Sequence, residues 1–500
     1  MEKSVVIIGG GLGGLFTGAI LAREGVGVTV LEKNTNAGGG LQSFTRFGET
    51  FDTGMHVITG MKEGGNVYRI CKYLGILDKV HVEHIGTDVV DRIFFAEDGR
   101  TYDMMQGRER FIDSLAKDFP EQRQNLERYV EAMYRIVDEV DMFYLRPSSS
   151  ANLVHSDEFM MAASDFIDSY ITDKRLSSIL AYMSTLYGGG RGISPAYIHA
   201  IVSVLSINGP SRFAGGSQLF ADTLRDSIVS NGGRVITGDE VTRVCTKDKV
   251  IDCVVTSKGH RYTADHYICA IHPCTFIRLL DDPKALPKAF RDRLEELPNT
   301  YSAFILNIRL KPGKFRYIGH MSYYMSRYAD MWNFGSETGE WPVGFLFTTP
   351  PEIGQGEYST KMIIASPMSW NTVRRWENTT VGRRGSGYED WKCRCTDLLL
   401  DRMERLYPDF RDCIENINSA SPLTIRDYYG VKDGSMYGFA KDCRNILLTH
   451  IPVATKISNL LLTGQNINLH GFCGVPLTAI NTSEAILGNN YVLNRINEAN

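Results

Sequence analysis

No apolar run in this 500-residue chain approaches the ~18 residues that a membrane-spanning helix needs, so nothing in it reads as a span. Positive charge is not in excess: 54 Lys and Arg stand against 58 Asp and Glu, for a formal charge of −4. That balance argues against a general nucleic-acid binder. The ten cysteines are scattered, several in apolar strands such as the one holding Cys269, a pattern that fits reduced thiols and a cytoplasmic setting. Cys393 and Cys395 have no histidine or cysteine partners at zinc-like spacing, so no metal site is expected. Cys269 and Cys274 have the spacing of some flavin disulfide reductases, but no second dinucleotide fingerprint accompanies them. A nucleophile elbow is missing, and hydrolase chemistry has little support. Internal repeats and low-complexity tracts are also lacking. The apolar start of the chain is broken by glycines and reads as part of a folded unit rather than a signal peptide.

What is present is a globular composition, 43% apolar and 22% charged. The length suggests about three domain-sized units or one large interrupted fold. The segment "SVVIIGGGLGGLFTGAILAREGVGVTVLEK", residues 4–33, begins with a β-branched run and then places glycines at Gly9, Gly11 and Gly14. Leu15, Ala19 and Ala22 continue at helical intervals, and a second apolar run over Gly27 to Leu31 ends at Glu32. This is a βαβ unit with the G-x-G-x-x-G spacing. Gly9 permits the tight turn, Gly11 lets a pyrophosphate approach the backbone, and Gly14 lets the helix pack closely on the sheet. Leu12 and Gly13 share the loop whose N–H groups face the phosphates. Glu32, with Lys33 beside it, stands where a carboxylate accepts hydrogen bonds from the adenosine ribose.

Residues further on separate a flavin from a nicotinamide. "AGGG", Ala37–Gly40, follows the acid where a nicotinamide enzyme would continue into another helix, so Gly39 and Gly40 offer a second approach of bare backbone. Near the other end, "NLLLTGQNINLHGFCGVPLTAINTSEAILG" reads as a strand over Leu460 to Leu462 and a glycine-bearing loop. A helix is expected from about Pro476, since proline suits a helix start. Its positive end would face the flavin N1–C2=O edge, with Gly464, Gln465, Gly474 and Val475 as contacts.

These motifs, with "FDTGMH", "GPSRFAGGSQLFADTLRDSIVSNGGRVITGDEV", "SPLTIRDYYGVKDGSMYG" and "LLLTGQN" in the same order along nearly the whole chain, resemble the FAD-dependent phytoene desaturase, carotenoid isomerase and retinol saturase group. "FDTGMH" and "LTGQ" sit closer to the saturase and isomerase branch. The resemblance implies an α/β fold: a Rossmann-type FAD-binding domain in β-β-α layers, interrupted by a substrate domain of mixed sheet and helices. It places residues 1–75, 211–280 and 421–500 in the FAD-binding part, with 76–210, mostly helical, and 281–420 in the substrate part. The "GDEV" strand would bring the backbone of Val241 to the adenine. His56, after "FDTG", stands either near the flavin, as a hydrogen-bond or proton donor, or as a satisfied structural histidine. His470 is a weaker candidate of the same kind, and Asp52 is expected to fix its turn. Many members of the wider amine-oxidase-like group carry an arginine after the glycine pair; Gly40, Leu41 and Gln42 stand here instead, so pyrophosphate binding would rest on backbone N–H groups.

The expected activity is saturation, desaturation or redox-neutral isomerisation at C=C or C–C bonds of a hydrophobic polyene or isoprenoid-like molecule, with an electron donor or acceptor not yet identified. Two alternatives stay open: a soluble amine or amino-acid oxidase, and a non-catalytic isoprenoid-binding protein of the escort kind. The aromatic stretch 315–334 is either a tunnel wall or a core strand. Residues 370–394 interleave Trp370, Trp376 and Trp391 with basic residues, which suits a solvated loop or a membrane surface.

Overall fold

The computed structural model describes residues 3–54, 57–85, 89–147, 155–335, 340–445 and 450–500. At its centre lies a five-stranded parallel sheet in the order Leu460–Leu462, His266–Cys269, Ser4–Ile8, Gly27–Leu31, Arg234–Ile236. Its strands come from widely separated parts of the chain. Side chains alternate across a strand with period two, and both faces here are buried. Val5 and Ile7 pack with the helices Leu12–Arg23, Gln218–Ser230 and Gly471–Leu487, whereas Val6 and Ile8 pack with the antiparallel sheet Val241–Lys247, Val250–Thr256 and Arg261–Tyr262. The result is the β-β-α layering of a Rossmann-type dinucleotide domain. Each fully buried Val, Leu or Ile contributes about 1.5–3 kcal/mol of transfer free energy, so this two-sided burial fixes the register.

A second, seven-stranded sheet runs Ile414–Ala420, Ser302–Leu310, Lys361–Met368, Gly344–Thr348, Met321–Met325, Val89–Phe95, Arg100–Met105. All its joints are antiparallel except the one between Met321–Met325 and Val89–Phe95. One face, with Phe304, Leu306, Phe345 and Ile364, packs on the long helix Ser386–Leu406. The opposite face, with Ala303, Ile305, Leu346 and Ala365, borders the interior cavity. The helices Arg123–Asp138 and Ala196–Asn208 cover the sheet's far end. The stretch 76–210 is therefore not purely helical: a hairpin turning at Glu97–Gly99 carries two strands into this sheet.

Arg212 ties the parts together. It is buried on a short strand, and its guanidinium donates to Thr348 Oγ1 (2.7 Å), Tyr317 Oη (2.8 Å), the Thr349 carbonyl (3.1 Å) and the Ile318 carbonyl (3.3 Å). A planar fork of donors is suited to such a convergence of acceptors.

Gly14 shows why the glycine spacing is strict. A Cβ at this position would lie 2.0 Å from the Gly9 carbonyl oxygen, and 3.2 Å from the Ala270 Cβ. Gly14→Ala is expected to lower stability by about 3 kcal/mol through overpacking against backbone, read as a fall in Tm. Gly387→Ala, at an exposed helical position where an added Cβ meets nothing within 4 Å, is expected to change stability by less than about 1 kcal/mol. Equal losses at the two positions would refute the packing argument.

Candidate functional site

One cavity of about 520 Å³ runs between the parallel sheet and the seven-stranded sheet. Its first half is built from the glycine loop. Gly9, Gly11, Leu12 and Gly13 form one wall, and Glu32 and Lys33 stand at the end of the neighbouring strand. Gly39 and Gly40 close this half from the other side, and Val241 borders it from the antiparallel sheet. Gly464 and Gln465 lie where the C-terminal strand ends, with Gly474 and Val475 on the helix that follows. Gly14 alone among the expected cofactor residues does not face the cavity; it is the packing glycine.

Close backbone approaches hold the walls together. Gly38 donates its N–H to the Gly10 carbonyl (2.7 Å), and a Cβ on Gly39 would stand 2.9 Å from the Gly11 Cα. Gly38 and Gly39 have φ of 134° and 56°, conformations that glycine adopts without strain. Across the cavity floor, a Cβ on Gly13 would stand 2.9 Å from the Gly464 Cα, and the Thr17 and Thr463 hydroxyls lie 3.1 Å apart. The two ends of the chain thus share one site.

Glu32 is 6% exposed, and its carboxylate accepts from the Gly10 N–H and the Asn34 N–H, each at 2.8 Å. One bond goes to each oxygen, which leaves lone pairs on both for further donors. Two helix N-termini open onto the cavity without a side-chain cap: Leu12–Arg23, preceded by Gly11, and Gly471–Leu487, preceded by His470. The first-turn N–H groups of a helix have no intrahelical acceptors, so both ends present positive potential. Bare glycine walls, an acid with free lone pairs and two uncapped helix ends fit a flavin dinucleotide. A diphosphate would lie against one helix end and an electron-accepting ring edge against the other.

The C-terminal helix begins at Gly471, not near Pro476 as expected. Its first turn, Gly471–Gly474, has loop-like composition, and the proline signal points one turn too far along. The shift brings Phe472 and Cys473 to the cavity wall. Burial pushes the Cys473 thiol up to about 12, so it is protonated rather than a nucleophile. His470 and His272 also border the cavity, and burial lowers each to about 4, so both are neutral at physiological pH. His272 accepts from the Cys274 N–H (3.3 Å), leaving its Nε2 to donate to Asn299 Oδ1 (3.1 Å). Asp52 takes bonds from Ser43 Oγ (2.6 Å) and the Ser217 N–H (2.9 Å), a structural arrangement. His56 lies outside the described residues.

The second half of the cavity is apolar. Ile198, Ile201, Val202 and Leu205 project from the helix Ala196–Asn208, facing Met321 and Leu346 on the sheet. From the aromatic stretch 315–334, only Met321 reaches this wall; the other side chains of its strand, Met321–Met325, are buried in the sheet layers. Of the three tryptophans, Trp370 and Trp376 are half-buried on short turns in a largely exposed loop, and Trp391 is packed inward on the helix Ser386–Leu406. Trp391 is buried, Trp376 and Trp391 ring centroids are 5.4 Å apart, and Arg426 lies over the half-buried Trp370. Cys269 and Cys274 are both free, their thiols directed to the carbonyls of Ile271 and Leu294.

The sequence reading missed Asp91. It is 3% exposed, lies on the strand Val89–Phe95 and borders the apolar half of the cavity. Its Oδ2 accepts from Tyr182 Oη (2.9 Å) and Ser206 Oγ (3.1 Å). Burial raises its carboxyl to about 6, against the opposing effect of the hydroxyl donors. The available signal was an acid within a run of strand-forming residues, "VVDRIFF".

Comparison with known proteins agrees with this architecture. The chain is 26% identical to all-trans-retinol 13,14-reductase of Macaca fascicularis, over 98% of this chain and 86% of that protein. It is 24% identical to chloroplastic prolycopene isomerase 1 of an Oncidium hybrid cultivar, over 87% of this chain and 75% of that protein. The crystal structure of an oxidoreductase from Methanosarcina mazei shares the fold with a TM-score of 0.65 at 16% identity, covering 96% of this chain and 100% of the other. The sequence profile of one family matches residues 12–315, more than half the chain, from the end of the glycine loop through Glu32 and the middle strands. The chain belongs to the flavin containing amine oxidoreductase family.

Proposed function

We propose that the protein is an FAD-dependent oxidoreductase acting on C=C or C–C bonds of a hydrophobic polyene or isoprenoid-like substrate. The observation that carries this reading is one continuous cavity, in which a glycine-walled polar half opens directly into an apolar half. The names of the two sequence relatives, a retinol reductase and a prolycopene isomerase, support the same substrate class. Bound FAD supplies the two-electron chemistry at the carbon–carbon bond.

The residues divide the remaining work. Glu32 accepts the ribose hydroxyls, while the N–H groups of Gly11, Leu12 and Gly13 and the helix they open receive the diphosphate. Gly9 and Gly14 shape that turn. Lys33 and Val241 border the adenosine end. Gly39 and Gly40 allow the ring-bearing part to pass close to backbone, and Gly464, Gln465, Gly474 and Val475 hold its far edge. The uncapped N-terminus of Gly471–Leu487 would present positive potential to the far edge of the bound group. Ile198, Ile201, Leu205 and Met321 position the substrate and exclude water.

Saturation, desaturation and isomerisation use the same site. The first two need an external electron donor or acceptor, whereas isomerisation returns its electrons to the substrate. Among the described residues no helix is long and apolar enough to cross a membrane. We place the protein in the cytoplasm, with a water-insoluble substrate collected at a membrane surface.

The purified protein is expected to show a flavin spectrum and to release FAD on denaturation; a colourless protein that takes up no added FAD would overturn the reading. Glu32→Ala should weaken FAD retention by about 1.5–3 kcal/mol through loss of charged acceptors, measured by titration with FAD. Unchanged affinity would remove Glu32 from the site. His56→Ala should leave FAD bound and slow turnover, by a factor of about 100 if it moves a proton; full activity would make it structural.

A further inference from the structure

Adding or removing hydrogen across a carbon–carbon bond moves a proton as well as a hydride, and the cavity wall narrows the choice of group that could carry it. Among the described residues of the wall, Glu32, Lys33 and Glu240 belong to the glycine-loop half. His272 and His470, each lowered to about 4 by burial, hold no second proton near neutral pH, and the Cys473 thiol, at about 12, does not release its own. Burial takes the hydroxyls of Tyr301 and Tyr437 still further from neutrality. Asp91 is left, and it borders the apolar half.

Its surroundings hold both protonation states in reach. Met321 is its partner on the neighbouring strand, and Ser206 brings it against the helix face that carries Val202, one turn earlier. Tyr182 and Ser206 donate to Oδ2, and Tyr323, its ring 5.4 Å from that of Tyr182, directs a third hydroxyl at the carboxyl. Among the described residues no cation pairs with it. The titratable groups that face it are Tyr182 and Tyr323, both pushed well above the ordinary tyrosine range, so neither ionises beside it. Arg92, the next residue of the strand, points to the opposite face and pairs with Asp103. Hydroxyl donors favour the carboxylate and burial favours the acid, and the balance falls at about 6. An apolar body seated on this wall displaces water from the carboxyl and tips the balance toward the acid. A carboxyl kept near neutrality by an apolar pocket is suited to general acid–base work.

We propose that Asp91 is the proton-transferring residue of the substrate half, giving a proton to one carbon of the substrate double bond in saturation and taking it back in desaturation. In saturation the O–H bond of Asp91 breaks and a C–H bond forms at one carbon, while the other carbon receives the hydride that reduced FAD supplies. The π bond is lost, the substrate gains two electrons and a proton, and Asp91 is left as the carboxylate, held by its three hydroxyl donors. Solvent returns its proton when the product leaves, and the external two-electron donor restores the cofactor. This inference rests on the polyene reading given above and adds the residue that moves the proton.

The test uses the FAD-loaded protein with all-trans-retinol as the polyene probe. Calorimetry at neutral pH in two buffers of different ionisation enthalpy reads the protons taken up on binding. The wild type is expected to take up most of one proton per probe bound, and Asp91→Asn none. With FAD reduced beforehand and air excluded, reoxidation of the wild type by the probe should slow as pH rises through the carboxyl's titration. Asp91→Asn, checked for unchanged FAD content, should be at least about 100-fold slower and lose that pH dependence. Tyr182→Phe removes one donor to the carboxylate, so its falling limb should move to higher pH, a shift that a merely structural tyrosine would not produce. Where the wild type binds the probe without oxidising the cofactor, oxidised FAD with the 13,14-dihydro alcohol gives the same comparison with the limb reversed. Binding without proton uptake in the wild type would overturn the proposal. So would a wild-type rate or pH profile in Asp91→Asn, the result expected if His56 moved the proton. If the FAD-loaded wild type acts on the probe in neither direction, the polyene reading itself falls, and the assignment of Asp91 falls with it.

Discussion

The structure depends on backbones approaching where only glycine permits it. Gly13 lies against Gly464, Gly39 against Gly11 and Gly14 against the Gly9 carbonyl, at separations that leave no room for a Cβ. These approaches join the N-terminal loop, the segment after Glu32 and the strand end near the C-terminus into one groove. Everything between, including the seven-stranded sheet, is inserted between contacts fixed by these glycines. The apolar half of the cavity consequently opens onto the polar half without a separate interface to align them.

Electrostatics at the polar half follow from the same geometry. Glu32 is buried, and without its bonds to the Gly10 and Asn34 N–H groups its charge would cost several kcal/mol. No arginine follows the glycine pair. Gln42 occupies the neighbouring position and donates to the Asn36 carbonyl (2.6 Å), so it serves the loop rather than the cavity. Positive potential comes from the two uncapped helix ends and from Lys33, whose ammonium donates to the Asp427 carbonyl (2.9 Å). A helix end is worth less than a full charge but is fixed in direction, and it needs no reorganisation when an anion forms.

Much of this was legible in the sequence, because local rules and tertiary fold agree over the first 32 residues. The β-branched run, the glycine spacing and the acid each have one physical reading, and the structure places them within a residue of that reading. The strand Leu460–Leu462 was equally plain. The helix at Gly471 was not, because its first turn is glycine-rich and Pro476 sits in its interior, against propensity. The tryptophans of 370–394 were legible only in part, since Trp370 and Trp376 lie half-buried in a loop and Trp391 on a helix. Their alternation with arginine serves cation–π contacts at the protein surface, such as Arg375 over Trp376 (3.9 Å). Asp91 was invisible because nothing local distinguishes a buried acid from the solvated face of an edge strand. Its meaning appears only when Tyr182, Ser206 and Tyr323 arrive from distant segments.

The energetic status of Asp91 can be argued from sign alone. A carboxyl raised from its ordinary 3.8 to about 6 binds its proton more tightly in the folded chain than in the unfolded one. Its contribution to stability is therefore greatest below pH 3.8, falls as pH rises through that window, and is a constant cost above it. The difference corresponds to about 3 kcal/mol at neutral pH. A methionine or leucine packed at the same place would avoid that cost, since apolar replacements of buried charges are commonly neutral or stabilising. The hydroxyls of Tyr182, Ser206 and Tyr323 reduce the penalty without removing it. A carboxyl that lowers stability on the wall of the substrate half is the kind of perturbed group that clusters at functional sites rather than at purely structural ones.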